Sequence, residues 1–267
     1  FFDGEINFVS GYKPDMIAAV QRGYGLDTRT RQAAGEAGML RFYSSIVSCH
    51  DSLRYTVGGR LVRIAYTSLL SPFIPMWYIG EEWNNPQTIE EGHWMYANRI
   101  DWSTVGQDRA FYEAVKRVIR IRRLLPELFT YFPLCHREIN FCPVETVDAG
   151  HLPAYARPGQ GYGVVVIPNG TDAERRTAFV PPLAACGIAA GADYRLTDLL
   201  SGEELTPGET VACRIPSQGV VVYALRRVEN GTDPLESVLK QLGGKNDERY
   251  ENAGADHIGG YIGTVAG

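Results

Sequence analysis

The residues best suited to chemistry are His50 and Asp51, which end the segment 41–51, RFYSSIVSCHD. An imidazole beside a carboxylate offers a hydrogen-bond donor and an acceptor at one point of the chain. Bulky and β-branched residues that stop abruptly at a polar tip predict a strand delivering both groups to one edge of a sheet. A second run, 73–80 (FIPMWYIG), also stops at acid, Glu81 and Glu82. An amphipathic stretch separates the two runs. Strand, helix, strand, with polar side chains where each strand ends, is how a parallel α/β barrel builds an active site. The plainer reading of His50 and Asp51 is a cap for the loop before the next helix, since Asp is a common turn and N-cap residue.

The elements that must position these residues alternate up to about Pro133. Residues 2–9 read as a short strand, and Met16, Ile17 and Val20 share one helical face. Gly58 and Gly59 open a helix with a stripe of Leu61, Ile64, Ala65, Ser68 and Leu69, which Ser71 and Pro72 close. The run from Phe73 to Ile79 is nearly all apolar, as in a parallel strand covered on both faces. A long loop holding Trp83, Trp94 and Trp102 follows. From Asp108 a helix is expected, with Phe111, Val115, Val118, Ile119 and Leu125 facing the core. Its Arg117, Arg120, Arg122 and Arg123 suit a solvent face and the negative end of the helix dipole.

After Pro133 the period changes to short β-type runs: 139–141, 161–167, 176–180, 194–196, 211–215 and 219–225. They are divided by Asn169-Gly170, Pro181-Pro182, Ser201-Gly202 and Pro207-Gly208, the punctuation of an all-β sandwich. The expected organisation is therefore an α/β part over 1–133, a β-sandwich over 134–228, and a linker or flexible tail over 229–267. Within the last part Pro234 to Leu242 can form a short helix.

The net charge of −5 gives no electrostatic footprint for nucleic acid, and no apolar run is long enough to span a bilayer. The five cysteines are scattered, with no zinc-like spacing, and read as buried small hydrophobes. No metal and no cofactor is expected. The chain opens Phe1-Phe2-Asp3, which reads as the middle of a strand and so as a fragment or a processed chain. The sequons at Asn169 and Asn230 are assigned no sugar; the first reads as a tight turn between strands.

Several of these segments resemble the α-amylase family of glycoside hydrolases (family 13). Ser48-Cys49-His50-Asp51 is similar to the signature that ends its seventh barrel strand. Residues 69–82, LLSPFIPMWYIGEE, resemble its eighth-strand motif, and residues 2–8, FDGEINF, its sixth strand. Residues 99–102, RIDW, look like the short segment after the eighth strand. The resemblance covers residues 1 to about 228, in the family's order. It implies the C-terminal portion of a TIM (β/α)8 barrel, about strands 6–8, followed by an all-β sandwich.

The resemblance assigns Asp51 to transition-state stabilisation and His50 and Arg54 to substrate binding. The family's nucleophile and acid/base, which end its fourth and fifth strands, match nothing in these residues. Gly4-Glu5 invites the acid/base reading, but Ile6-Asn7-Phe8 suits the sixth-strand pattern. Trp83 and Trp94, on the loop at the rim, are stacking candidates for a sugar ring; Trp77, inside a strand, reads as core. Glu81 and Glu82 either face the rim or serve the scaffold through ion pairs to Arg54 or Arg99 or by capping the loop. The implied function is part of a hydrolase or transglycosylase acting on α-glucosidic bonds and inactive alone. Its implied partners are an α-glucan and the N-terminal part of the same barrel. The alternative is a non-catalytic amylase-like scaffold or a carbohydrate-binding protein.

Overall fold

The structure, a computed structural model, describes residues 44–46, 61–69, 74–77, 80–84, 102–129, 142–147, 154–229 and 231–243. Strand β1 (Ser44–Ile46) pairs in parallel with β2 (Ile74–Met76), Ser44 opposite Ile74 and Ile46 opposite Met76. Parallel neighbours need a crossover, and helix α1 (Leu61–Leu69) lies between them in sequence. Its Ile64, Ala65 and Leu69 are fully buried, as the stripe predicts. The Thr67 hydroxyl donates back to the Arg63 carbonyl at 2.9 Å, so a polar group on the buried side is satisfied within the helix.

Helix α2 (Arg109–Leu124) starts where expected, because the Asp108 carboxylate accepts from the Phe111 amide at 3.0 Å. Its buried stripe is Val115, Val118 and Ile121, continued by Leu125. Ile119, expected in the core, is 41% exposed. At 100° per residue it lies roughly 100° around the helix from the middle of that stripe. Of the arginines expected on a solvent face Arg123 is exposed, but the other three are a second correction. Arg117 donates to the Leu199 and Leu242 carbonyls, Arg120 to Gln241 O at 2.5 Å, and Arg122 to Ser68 O at 2.5 Å. A guanidinium carries its donors on a rigid fork, so these side chains tie α2 to neighbouring elements. Burial, then the nearby Arg120, holds Arg117 below its usual basicity. Helix α3 (Pro126–Phe129) follows and buries Leu128 and Phe129.

The rest is antiparallel. A six-stranded sheet contains β3 (Cys142–Pro143), β4 (Tyr155–Pro158), β5 (Tyr162–Pro168), β7 (Tyr194–Asp198), β8 (Glu204–Leu205) and β10 (Val220–Arg227). Its order is β3-β4-β5-β10-β7-β8. A separate ribbon pairs β6 (Arg175–Phe179) with β9 (Val211–Ile215). The central strands are apolar without alternation because both faces are covered. Val164 and Val166 of β5 and Val222 and Ala224 of β10 face the helices. Val165, Ile167, Tyr223 and Leu225 face the ribbon. Burying each such valine or leucine is worth about 1.5–3 kcal/mol. Residues 142–147 join the two sheets: Cys142 lies opposite Ala156, and Val147 then donates to Ala178 O at 2.7 Å.

The helices α1, α2 and α3 share one core with this sheet. The molecule is thus a sheet-rich α/β fold with the antiparallel sheet as its middle layer. The expected boundary near residue 134 and the run 139–141 lie outside the described residues. Strand β4 was not anticipated: its four residues are all buried, so no alternation marks it. Arg157, fully buried within it, donates to the Leu128 carbonyl through Nη2 at 2.6 Å.

Helix α4 (Glu236–Gly243) falls in the short stretch read as helix-forming. Leu235 and Leu242 join the helix-side core. Residues 231–243 of the stretch read as a tail are therefore packed on the sheet.

Candidate functional site

The described part of the site is the turn that follows β2. Gly80 adopts φ 95° and Asn84 φ 53°, so two left-handed residues bracket the 3₁₀ turn Glu81–Trp83. Glycine meets that geometry without strain, and Asn is among the residues that tolerate it best. The turn separates the two acids. Glu82 folds back, its Oε2 accepting from the Gly80 amide at 2.9 Å. Glu81 turns inward and is 2% exposed. The capping weighed for these acids was of the following loop, whereas the bond Glu82 makes runs back to Gly80, ahead of the turn. Arg54 and Arg99, considered as ion partners, lie outside the described residues, as do His50, Asp51, Glu5 and Trp94.

Trp83 stacks on Tyr112 of α2, ring centroids 3.9 Å apart and planes 5° from parallel. Arg109 and Lys116 sit 5.9 Å and 5.4 Å from the centroid of the same tyrosine ring. Asn84 Nδ2 donates to Asp108 Oδ2 at 3.1 Å, while Oδ1 of that carboxylate caps α2. One acid therefore fixes both the helix start and the turn after β2. Asp108 was legible as the start of the helix; Tyr112 and Asn84 were not marked by any motif. Trp77 is half-buried against Ile64 and Val115, in keeping with a core role. Trp102, in the next 3₁₀ turn (Trp102–Thr104), is 59% exposed.

Elsewhere among the described residues, burial acts on three cysteine thiols. Burial pushes the Cys186 thiol up to about 12 and Cys213 up to about 11. Cys142 is also raised, by burial first, and is half-buried. These thiols are neutral at ordinary pH, which suits small hydrophobes and not nucleophiles. Asn169 is fully buried: its Nδ2 donates to Ala173 O and Pro216 O, both at 2.9 Å, and its Oδ1 accepts from Thr171. The first sequon is thus a structural turn. Among the described residues no group of three or more His, Cys, Asp or Glu could hold a metal ion. Among them, too, no helix is long and apolar enough to cross a membrane.

No family model matches the sequence, and no curated protein matches it. Similar solved structures were found. An Anoxybacillus α-amylase is 16% identical, with 71% of this chain and 39% of that one covered, at a TM-score of 0.48. A maltogenic α-amylase from Thermotoga neapolitana is 9% identical, with 82% and 51% covered, also at 0.48. A Nostoc punctiforme debranching enzyme is 14% identical, with 68% and 33% covered, at 0.42. The solved structures it resembles are of the α-amylase family. Against these α-amylase-family structures the chain spans between 33% and 51% of their length.

Proposed function

We propose that this chain is the C-terminal part of an α-amylase-like catalytic module acting on α-glucosidic bonds. On this reading β1, α1, β2 and α2 are the seventh strand, its helix, the eighth strand and the last helix of a (β/α)8 barrel. Strands β3–β10 are the C-terminal β-domain that buttresses it. The observation that carries the reading is the parallel pairing of β1 with β2, Ser44 opposite Ile74. The two motif-bearing segments thereby leave neighbouring strands in the same direction. In a parallel barrel that end is where chemistry is done.

Retaining glycoside hydrolysis passes through an oxocarbenium-like transition state, and hydrogen bonds to the sugar hydroxyls strengthen there. Asp51 is the acceptor for the 2- and 3-hydroxyls, and His50 donates to the same sugar. Charge-assisted bonds of this kind are about twice as strong as neutral ones. Arg54 orients a carboxylate or meets the neighbouring sugar, and Trp83 belongs to the substrate-facing turn. Apart from Gly4-Glu5, whose following residues suit the sixth strand better, no segment of these 267 residues resembles the strands that carry the nucleophile and the acid/base. The chain therefore binds an α-glucan weakly and turns it over only when the N-terminal part of the barrel completes the carboxylate pair. Strand β2, as the eighth strand, is an edge to which that part would add.

Calorimetric titration with maltoheptaose, beside a turnover assay on an aryl maltoside, tests this. Weak binding that Asp51→Asn abolishes, with no turnover, is the expected result. Turnover by the 267-residue chain would overturn the division of the active site. Binding indifferent to Asp51→Asn would remove Asp51 from it.

A further inference from the structure

We propose that Trp102, on the 3₁₀ turn ahead of α2, is a stacking platform for one glucosyl ring of an α-glucan; this rests on the carbohydrate reading above. Three observations carry it. First, the indole is 59% exposed, and Val105 on the same turn is 41% exposed. Tryptophan is among the residues most buried on average, so an apolar strip of this kind at the surface is unusual.

Second, the turn that carries the indole is hydrogen-bonded in place. The Val105 amide donates to Trp102 O at 3.2 Å, and Gln107 Nε2 donates to Ser103 O at 2.9 Å. Asp108 then anchors the segment, accepting from Phe111 of α2 and from Asn84 of the turn after β2. A binding surface held in place before the ligand arrives loses less freedom on binding.

Third, Trp83 has a ring face closed by Tyr112 at 3.9 Å. Of these two tryptophans, Trp102 is the more exposed and has no ring stacked on it among the described residues.

The chemistry of the ligand follows from the surface. An indole has a broad apolar face and an N–H at its edge, which suits a partner apolar on one side and wet at its rim. A pyranose ring is such a partner: its C–H bonds form an apolar patch and its hydroxyls project around the edge. Stacking withdraws both apolar faces from water and leaves the hydroxyls hydrated.

The test is a fluorescence and calorimetric titration of the full chain with maltoheptaose, comparing wild type, Trp102→Ala, Trp102→Phe and Trp83→Ala. Trp102→Ala is expected to bind about tenfold more weakly, with Trp102→Phe close to wild type. The far-UV circular dichroism of Trp102→Ala should match wild type. Unchanged affinity in Trp102→Ala would overturn the platform and leave the glucan reading standing. Absence of maltoheptaose binding by the wild type would overturn the glucan reading and the platform with it. Loss of the fold in Trp102→Ala would also overturn the proposal, since it would make the indole a packing element.

Discussion

Asp233 accepts from Arg226 Nε through Oδ2 at 2.7 Å, while its Oδ1 accepts from the Leu235 amide at 2.8 Å. One carboxylate thus caps the entry to α4 and neutralises a guanidinium that is 2% exposed. Arg226 completes its shell with Thr197 Oγ1 at 2.5 Å and Glu204 Oε1 at 2.8 Å. The other end of α4 is held by α2, whose Arg117 and Arg120 donate to the Leu242 and Gln241 carbonyls. Arginines at a helix C-terminus also meet the negative end of its dipole.

Removing Asp233 should therefore be costly. Asp233→Ala loses a cap, worth about 1 kcal/mol, and leaves a buried guanidinium short of its best-buried partner. Since Glu204 and Thr197 remain, the expected loss is about 3 kcal/mol, read as a lower urea midpoint. Asp233→Asn keeps the cap and should lose less. A midpoint unchanged in Asp233→Ala would show that α4 does not rest on this pair.

The same network makes a pH prediction. Burial acts to raise the Glu204 carboxyl, but the hydrogen bonds from Thr197 and Arg226 outweigh it and hold the group below the usual carboxylate range. A folded value below the unfolded one means the folded state binds the proton less well. The contribution of Glu204 is thus complete above the ordinary value near 4.5 and is lost as pH falls through the lower folded value. Urea midpoints of wild type and Glu204→Gln, followed from about pH 6 to about pH 3, should converge as the pH drops. Parallel curves would argue against the assignment.

How much of this was readable beforehand divides by the distance over which the cause acts. The helix start at Asp108, the α1 stripe and the runs of β5 and β10 depend on neighbours in sequence, and they stand where expected. Strand β4 escaped because Arg157 looks like a surface residue until the Leu128 carbonyl is placed beside it. The arginines of α2 were read as solvent-facing for the same reason: Arg117 meets carbonyls at Leu199 and Leu242, far along the chain. At the candidate site, the sequence pointed to the turn after β2 and to Trp83. It could not separate buried Glu81 from Glu82, because that depends on two left-handed residues bracketing the turn.

Gly163 and Cys186 form a testable packing pair. A Cβ at Gly163 would lie 2.5 Å from Cys186 Sγ and 3.2 Å from the Arg157 carbonyl oxygen. Gly163→Ala should cost about 1–3 kcal/mol, the usual range for overpacking a core. Adding Cys186→Ala removes the sulfur and should return about 1 kcal/mol relative to the sum of the single changes. Strict additivity in the denaturation cycle would mean that the backbone contact, not the sulfur, sets the limit. With its thiol raised to about 12, Cys186 should also resist alkylation until the protein is unfolded, as peptide mass mapping would report.

Trp83 and Tyr112 couple the turn after β2 to α2. Their face-to-face stack at 3.9 Å is a contact between elements, so its energy depends on both rings being present. Trp83→Ala should cost about 2 kcal/mol, less than the 3–5 typical of a large aromatic in a core, because the indole is half-buried. Tyr112→Ala should cost a similar amount, and the double variant about 1 kcal/mol less than the sum. The same change should loosen the Gly80–Asn84 turn, raising hydrogen exchange at the Trp83 and Asn84 amides, which are bonded to Gly80 O and Glu81 O. Protection unchanged in Trp83→Ala would show that the hydrogen bonds of Glu82 and Asn84 hold the turn without the stack, and that the indole is free to serve a ligand.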